Sequence, residues 1–101
     1  MVYKIIWSEL AIKTYISNIK YLETAFTETE VKAFITAVQK KLSVLSLQPR
    51  IGRLTNKREN VRFTVIHKRV TLIYRHRPVK HEIQLVRFWN NYQDPKRLKS
   101  K

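Results

Sequence analysis

Cysteine is absent from these 101 residues, which excludes a disulfide framework, a thiolate nucleophile and any zinc site built on sulfur. A single glycine cannot make a phosphate-cradling loop, because such loops need several residues free of a side chain. Acidic residues are scarce as well, seven against 21 lysines and arginines. They are scattered along the chain, so paired carboxylates for acid–base work are missing, and neither a metal nor a cofactor is expected. No apolar run exceeds four residues, so neither a signal peptide nor a membrane span is expected. The expected location is the cytoplasm.

What is abundant is positive charge, and it is unevenly placed. Fifteen of the 21 basic residues lie from Arg50 to Lys101, where the only acids are Glu59, Glu82 and Asp94. About +12 of the formal +14 therefore belongs to the second half. A solubility charge is normally mixed in sign and spread along the surface. This one suits a polyanion or an acidic protein, because neutralising phosphates releases condensed counterions. With 44% apolar residues the chain should nevertheless fold, as one domain over residues 1–101 with a basic tail at 96–101.

Periodicity supplies the elements. Val2–Trp7 is β-branched and aromatic and reads as a strand. Ser8 can cap a helix from Glu9 to about Thr24, with Ile12, Ile16, Ile19 and Leu22 at helical spacing. Thr27-Glu28-Thr29-Glu30 has the form of a capping box, and Val31, Phe34, Ile35, Val38, Leu42 and Leu45 carry a second helix to about Leu47. Pro49 and Gly52 end it. Val61–His67, Val70–Arg77 and Glu82–Trp89 are strands joined by connections of hairpin length. The order is β-α-α-β-β-β, an α+β fold in which a two-helix hairpin packs on one face of an antiparallel sheet. Ile16, Ile19, Phe34, Val38, Leu42, Phe63 and Leu72 should be its core. If Phe63, Val65, Val70, Leu72 and Tyr74 face the helices, then Arg62, Thr64, Thr71, Ile73, Arg75 and Arg77 share the other side.

On this frame the chain resembles the RelE/ParE superfamily of bacterial toxins. The resemblance covers nearly the whole length. It rests on Ile6-Trp7-Ser8 with Ala11 and Tyr15, on Pro49-Arg50-Ile51-Gly52-Arg53, on Arg62 through Tyr74, and on Phe88-Trp89-Asn90-Asn91-Tyr92-Gln93-Asp94-Pro95. It implies the toxin half of a type II toxin–antitoxin pair, with a small acidic antitoxin as partner. Members are either ribosome-dependent messenger-RNA endonucleases or poisons of DNA gyrase. The nuclease branch carries basic residues on its strands and a tyrosine or histidine near the carboxyl end, to neutralise a phosphate and move protons at its oxygens. Arg62 matches the first of those basic positions. Thr64 and Thr71 stand at two others, and Asn90 and Tyr92 stand where an acid and an arginine are common.

The candidate catalytic set is therefore Arg62, Arg75, Arg87 and Tyr92. Lys68, Arg69, Arg77, Lys96 and Arg97 join Arg62 and Arg75 as candidate nucleic-acid contacts. His67 and His81 are reserve acid–base groups; His76, also near a strand end, can equally be a hydrogen-bonded filler. Trp89 either stacks on a base beside Tyr92 or belongs to the core or an antitoxin contact. The expected activity is cleavage of messenger RNA on the ribosome. The alternatives are a non-catalytic gyrase inhibitor, and a nucleic-acid-binding or inactivated toxin that works in an antitoxin repressor complex.

Overall fold

The computed structural model describes residues 2–67 and 70–91. Its elements are β1 (Lys4–Trp7), α1 (Glu9–Ala25), α2 (Glu28–Leu47), β2 (Arg53–Asn56), β3 (Val61–His67), β4 (Val70–Arg77) and β5 (Glu82–Asn90). A single 3-10 turn, Pro78–Lys80, joins β4 to β5. The strands form one sheet in the order β1-β5-β4-β3-β2.

Local chemistry sets the helix ends. The Ser8 hydroxyl accepts the Ala11 N–H at 3.0 Å, so a cap side chain satisfies one of the orphan amides of α1. Thr27 does the same for Glu30 at the start of α2, at 3.4 Å. The Glu30 carboxylate reaches across to His67, whose Nε2 lies 3.2 Å from Oε2. It thus ties the first turn of α2 to the end of β3.

Both helices pack on one face of the sheet, where Phe34, Val38 and Leu45 of α2 meet Leu72, Tyr74, Ile83, Leu85 and Phe88 of the strands, each at most 2% exposed. Trp7, Tyr15, Phe34 and Phe88 meet there as an aromatic group, with centroids 5.3–6.4 Å apart. Polar residues of α1 and its cap serve the other part of β5, beyond its pairing with β1. Ser8 Oγ donates to the Val86 carbonyl, Thr14 Oγ1 accepts the Phe88 N–H, and Asn18 Nδ2 donates to the Phe88 carbonyl. Side chains of a helix thus take up strand hydrogen bonds that a sixth strand would otherwise make.

The α+β class and the order of the expected elements stand, with two differences. An additional short strand, β2, pairs antiparallel with β3. All four of its residues are exposed, so it has no apolar alternation by which to be seen in the sequence. The sheet is also mixed, because β1 runs parallel to β5. The helices and three further strands lie between them in the chain, ample length for a parallel crossover.

Two core expectations also fail. Ile16 is 47% exposed, on the solvent side of α1. Phe63 is only partly buried and faces away from the helices. The cause is a one-residue irregularity between Val65 and His67. His67 pairs with Val70, but Val65 pairs with Thr71 and Arg62 with Tyr74. A one-residue slip moves every following side chain to the opposite face.

Candidate functional site

That slip decides where the cationic groups go. Arg62 and Thr64 share the helix-side face with Tyr74 and Leu72, while Val61, Phe63 and Val65 join Arg75, Ile73 and Thr71 on the other. The expected row of Arg62, Arg75 and Arg77 across two strands does not exist. Arg62 stands on one side of the sheet, Arg75 and Arg77 on the other.

On the helix side, Arg62 is a structural tie. Its Nη1 donates to the carbonyls of Gly52, at 2.8 Å, and Arg50, at 3.2 Å. Tyr74 holds the same turn, its hydroxyl donating to the Pro49 carbonyl at 2.8 Å and accepting the Gly52 N–H at 2.9 Å. Burial pushes the Tyr74 hydroxyl above its ordinary pKa, against the smaller opposing effects of the Gly52 bond and the Arg62 charge. Glycine is required at 52 for space: a Cβ there would overlap the Tyr74 hydroxyl and come within 2.7 Å of its ring.

No described helix packs on the opposite face. Arg53, Phe63, Ile73 and Arg87 lie in register across it, one from each of β2, β3, β4 and β5. Arg75 donates to Glu59 at 2.8 Å and to Gln84 at 3.4 Å. The Arg87 guanidinium stands 4.8 Å over the Trp89 ring. Trp89 is only 7% exposed, so its ring offers no platform for a base. Val65, by contrast, is 58% exposed. The face alternates arginine with apolar and aromatic side chains, and its acids among the described residues are Glu59 and Glu82. Such a mixture is typical of the buried part of a protein–protein contact, where arginine and aromatics are enriched.

The four candidate catalytic residues are therefore not brought together. Arg75 and Arg87 share the face away from the helices, Arg62 is behind the sheet, and Tyr92 lies outside the described residues, as do Lys68, Arg69, Lys96 and Arg97. Neither reserve histidine joins Arg75 and Arg87. His67 contacts Glu30 on the helix side, and His81 lies in the turn before β5, its ring stacked 4.7 Å from Tyr3. Sequence reasoning weighed His76 but left it out of the candidate set; it is 3% exposed on the helix-side face. Its place in the alternation of β4, in phase with Leu72 and Tyr74, was the available signal. Among the described residues no three metal-ligating side chains come together, and no helix is long and apolar enough to cross a membrane.

Comparison with known proteins agrees with this architecture. The fold is similar to that of E. coli toxin RelE, solved in the free state as a double arginine-to-alanine mutant. The TM-score is 0.63 at 15% identity, covering 94% of this chain and 90% of that one. It is similar to a chain of the toxin–antitoxin complex RelBE2 from Mycobacterium tuberculosis, with TM-score 0.61, 14% identity and coverage of 89% and 99%. A conserved hypothetical protein from Helicobacter pylori gives 0.55 at 22% identity, covering 89% and 96%. No curated protein matches the chain. The family model described as ParE toxin of type II toxin-antitoxin system, parDE, matches residues 5–95, from β1 to beyond β5. The chain belongs to that family, within the RelE/ParE superfamily of toxins.

Proposed function

We propose that this toxin acts by binding a protein target rather than by cutting RNA, and that the target is DNA gyrase. The observation that carries the reading is the division of the basic residues by the sheet. Phosphoryl transfer to a ribose hydroxyl needs cations and a proton-transfer group within reach of one phosphate. Arg62 is committed to two backbone carbonyls on the helix side, whereas Arg75 and Arg87 lie on the far face with no described histidine beside them. What that face offers is a row of arginine, phenylalanine, isoleucine and arginine, the composition of a protein-binding patch.

The same surface suits an acidic antitoxin, whose carboxylates would pair with Arg53, Arg77 and Arg87 while its apolar residues cover Phe63, Ile73 and Val65. Covering this patch would neutralise the toxin in the cytoplasm. The competing reading, ribosome-dependent cleavage of messenger RNA, has the net charge of +14 in its favour.

One pair of assays separates them. Purified toxin is added to gyrase supercoiling reactions, and in parallel to ribosomes translating a defined message followed by primer extension. Stoichiometric loss of supercoiling with an intact message is expected. Ribosome-dependent cleavage with gyrase unaffected would replace this reading with the nuclease.

A further inference from the structure

A second site lies on the other side of the sheet, at the end where α2 stops. An open pocket of about 570 Å³ is lined by Tyr3, Leu47, Pro49, Arg50, Ile51 and His76, among others. Its walls are largely apolar, with His76 as the buried polar group and Arg50 as the cation of the lining. Both ring nitrogens of His76 lack a hydrogen-bond partner, although the residue is only 3% exposed. Leaving a buried donor and a buried acceptor unpaired is costly, and in a native fold such a group calls for an explanation.

We propose that the pocket binds a carboxylate side chain of an acidic peptide, with Arg50 as its counter-charge and the imidazole of His76, its ring turned to bring a now covered nitrogen to the pocket, as its hydrogen-bonding partner. Aliphatic walls from Leu47, Pro49 and Ile51 match the methylenes of a glutamate. A phosphodiester would have to bring two sugars into the same space. It would also remain charged at every relevant pH, whereas a carboxylate can share a proton with the ring.

The groups facing the ring come from each neighbouring element. Tyr3, ahead of β1, meets it edge-on at 5.2 Å and is itself backed by His81. Tyr74 precedes it on β4, Ile83 is its partner on β5, and the turn after α2 supplies Arg50. Arg62 belongs to β3. Burial lowers the basicity of His76, and the Arg50 and Arg62 charges lower it further. These effects favour the neutral form of the ring. A carboxylate entering beside it offsets the two guanidinium charges and favours the imidazolium, so binding takes up a proton. One proton passes from solvent to the free ring nitrogen, where an N–H bond forms as the bond to the donating water or buffer acid breaks; no other covalent bond changes.

This inference does not depend on whether gyrase or messenger RNA is the target. It is tested on the whole protein with a short glutamate-rich peptide, using inorganic phosphate and a short RNA as separate probes. Imidazole NMR resonances of His76 are followed through a pH titration. The peptide should shift them and raise the midpoint, and affinity should tighten as pH falls from about 8 to about 6. Arg50→Gln should weaken the peptide at least about tenfold, the scale of one lost charge-assisted bond. His76→Leu should abolish the pH dependence while raising the melting temperature, since it removes two unpaired polar atoms from the interior. A purely structural histidine would not give that opposed pair of effects. An unmoved His76 resonance in the wild-type protein overturns the proposal even if His76→Leu fails to fold. A response to phosphate or RNA without a response to the peptide also overturns it.

Discussion

Arg62 and Arg75 are both strand arginines in the basic half of the chain, and one register slip separates their fates. Arg62 faces the helices and donates two bonds to the carbonyls of Arg50 and Gly52. Arg75 faces away and pairs with Glu59, across side chains 36% and 53% exposed. The first is part of what shapes the fold; the second is part of what the fold displays. The same residue type does different work because of what each face offers it: backbone carbonyls of the turn after α2 for Arg62, the Glu59 carboxylate for Arg75. Charge read along a sequence cannot make that distinction until the face is known.

The sharpest break in the comparison is substitution. Arg62→Ala strands two backbone carbonyls of the turn after α2 and should cost about 2–3 kcal/mol, as for other charge-assisted bonds. Chemical denaturation with a constant m-value would measure it. A loss well under half of that would place Arg62 with Arg75 as a surface cation. Toxicity lost in this variant would then report unfolding and not a missing catalytic group.

Next come the partners of that turn. Gly52→Ala drives a methyl into the Tyr74 ring and should cost about 1–3 kcal/mol by overpacking. Tyr74→Phe removes the hydroxyl that bridges Pro49 and Gly52 and should cost about 1–2 kcal/mol. Because the ring and the turn share one contact, the two losses should not add in a double-mutant cycle. Additive losses would mean that the turn is held elsewhere.

Most of this architecture was legible. Both helices begin at the predicted caps, Ser8 and Thr27, and end within a residue or so of the predicted stops. The three last strands fall where β-branched and aromatic residues cluster between turns. The candidate site was far less legible, and the reason is specific. Without a slip, the hairpin pairing His67 with Val70 would pair Val65 with Leu72 and Arg62 with Arg75, which is the expected arrangement. The irregularity at Ile66 reverses β3, and nothing in Val61–His67 announces it, since both phases of that segment carry β-formers. Parallel pairing of β1 was hidden for a related reason: four residues carry no signal of direction.

His76 extends the comparison to pH. Its basicity is lowered in the folded protein, so the unfolded chain binds the proton more readily. Stability from this group is present at and above neutral pH and declines as pH falls through the ordinary imidazole value of 6.5 towards the lower folded value. Below the folded value the decline stops. Melting temperatures of wild type and His76→Leu should therefore diverge as pH falls through this window, with the wild type losing more. Parallel curves would show that the ring is solvated and not buried.

The smallest expected effect on stability belongs to Arg75, and it is paired with a large effect on activity. An exposed ion pair such as Arg75 with Glu59 typically contributes about 0–1 kcal/mol, because water screens the charges and ordering two long side chains costs entropy. Arg75→Ala should shift stability by less than about 0.5 kcal/mol, and the shift should shrink further in high salt. Combined with Arg87→Ala it removes two of the cations that frame Phe63 and Ile73. Growth arrest in cells making the double variant should be relieved, with its melting curve close to that of wild type. Arrest that persists would move the working surface away from the Arg75 face, leaving the pocket side of the sheet as the place to look. Relief accompanied by unfolding would erase the distinction between Arg62 and Arg75 altogether.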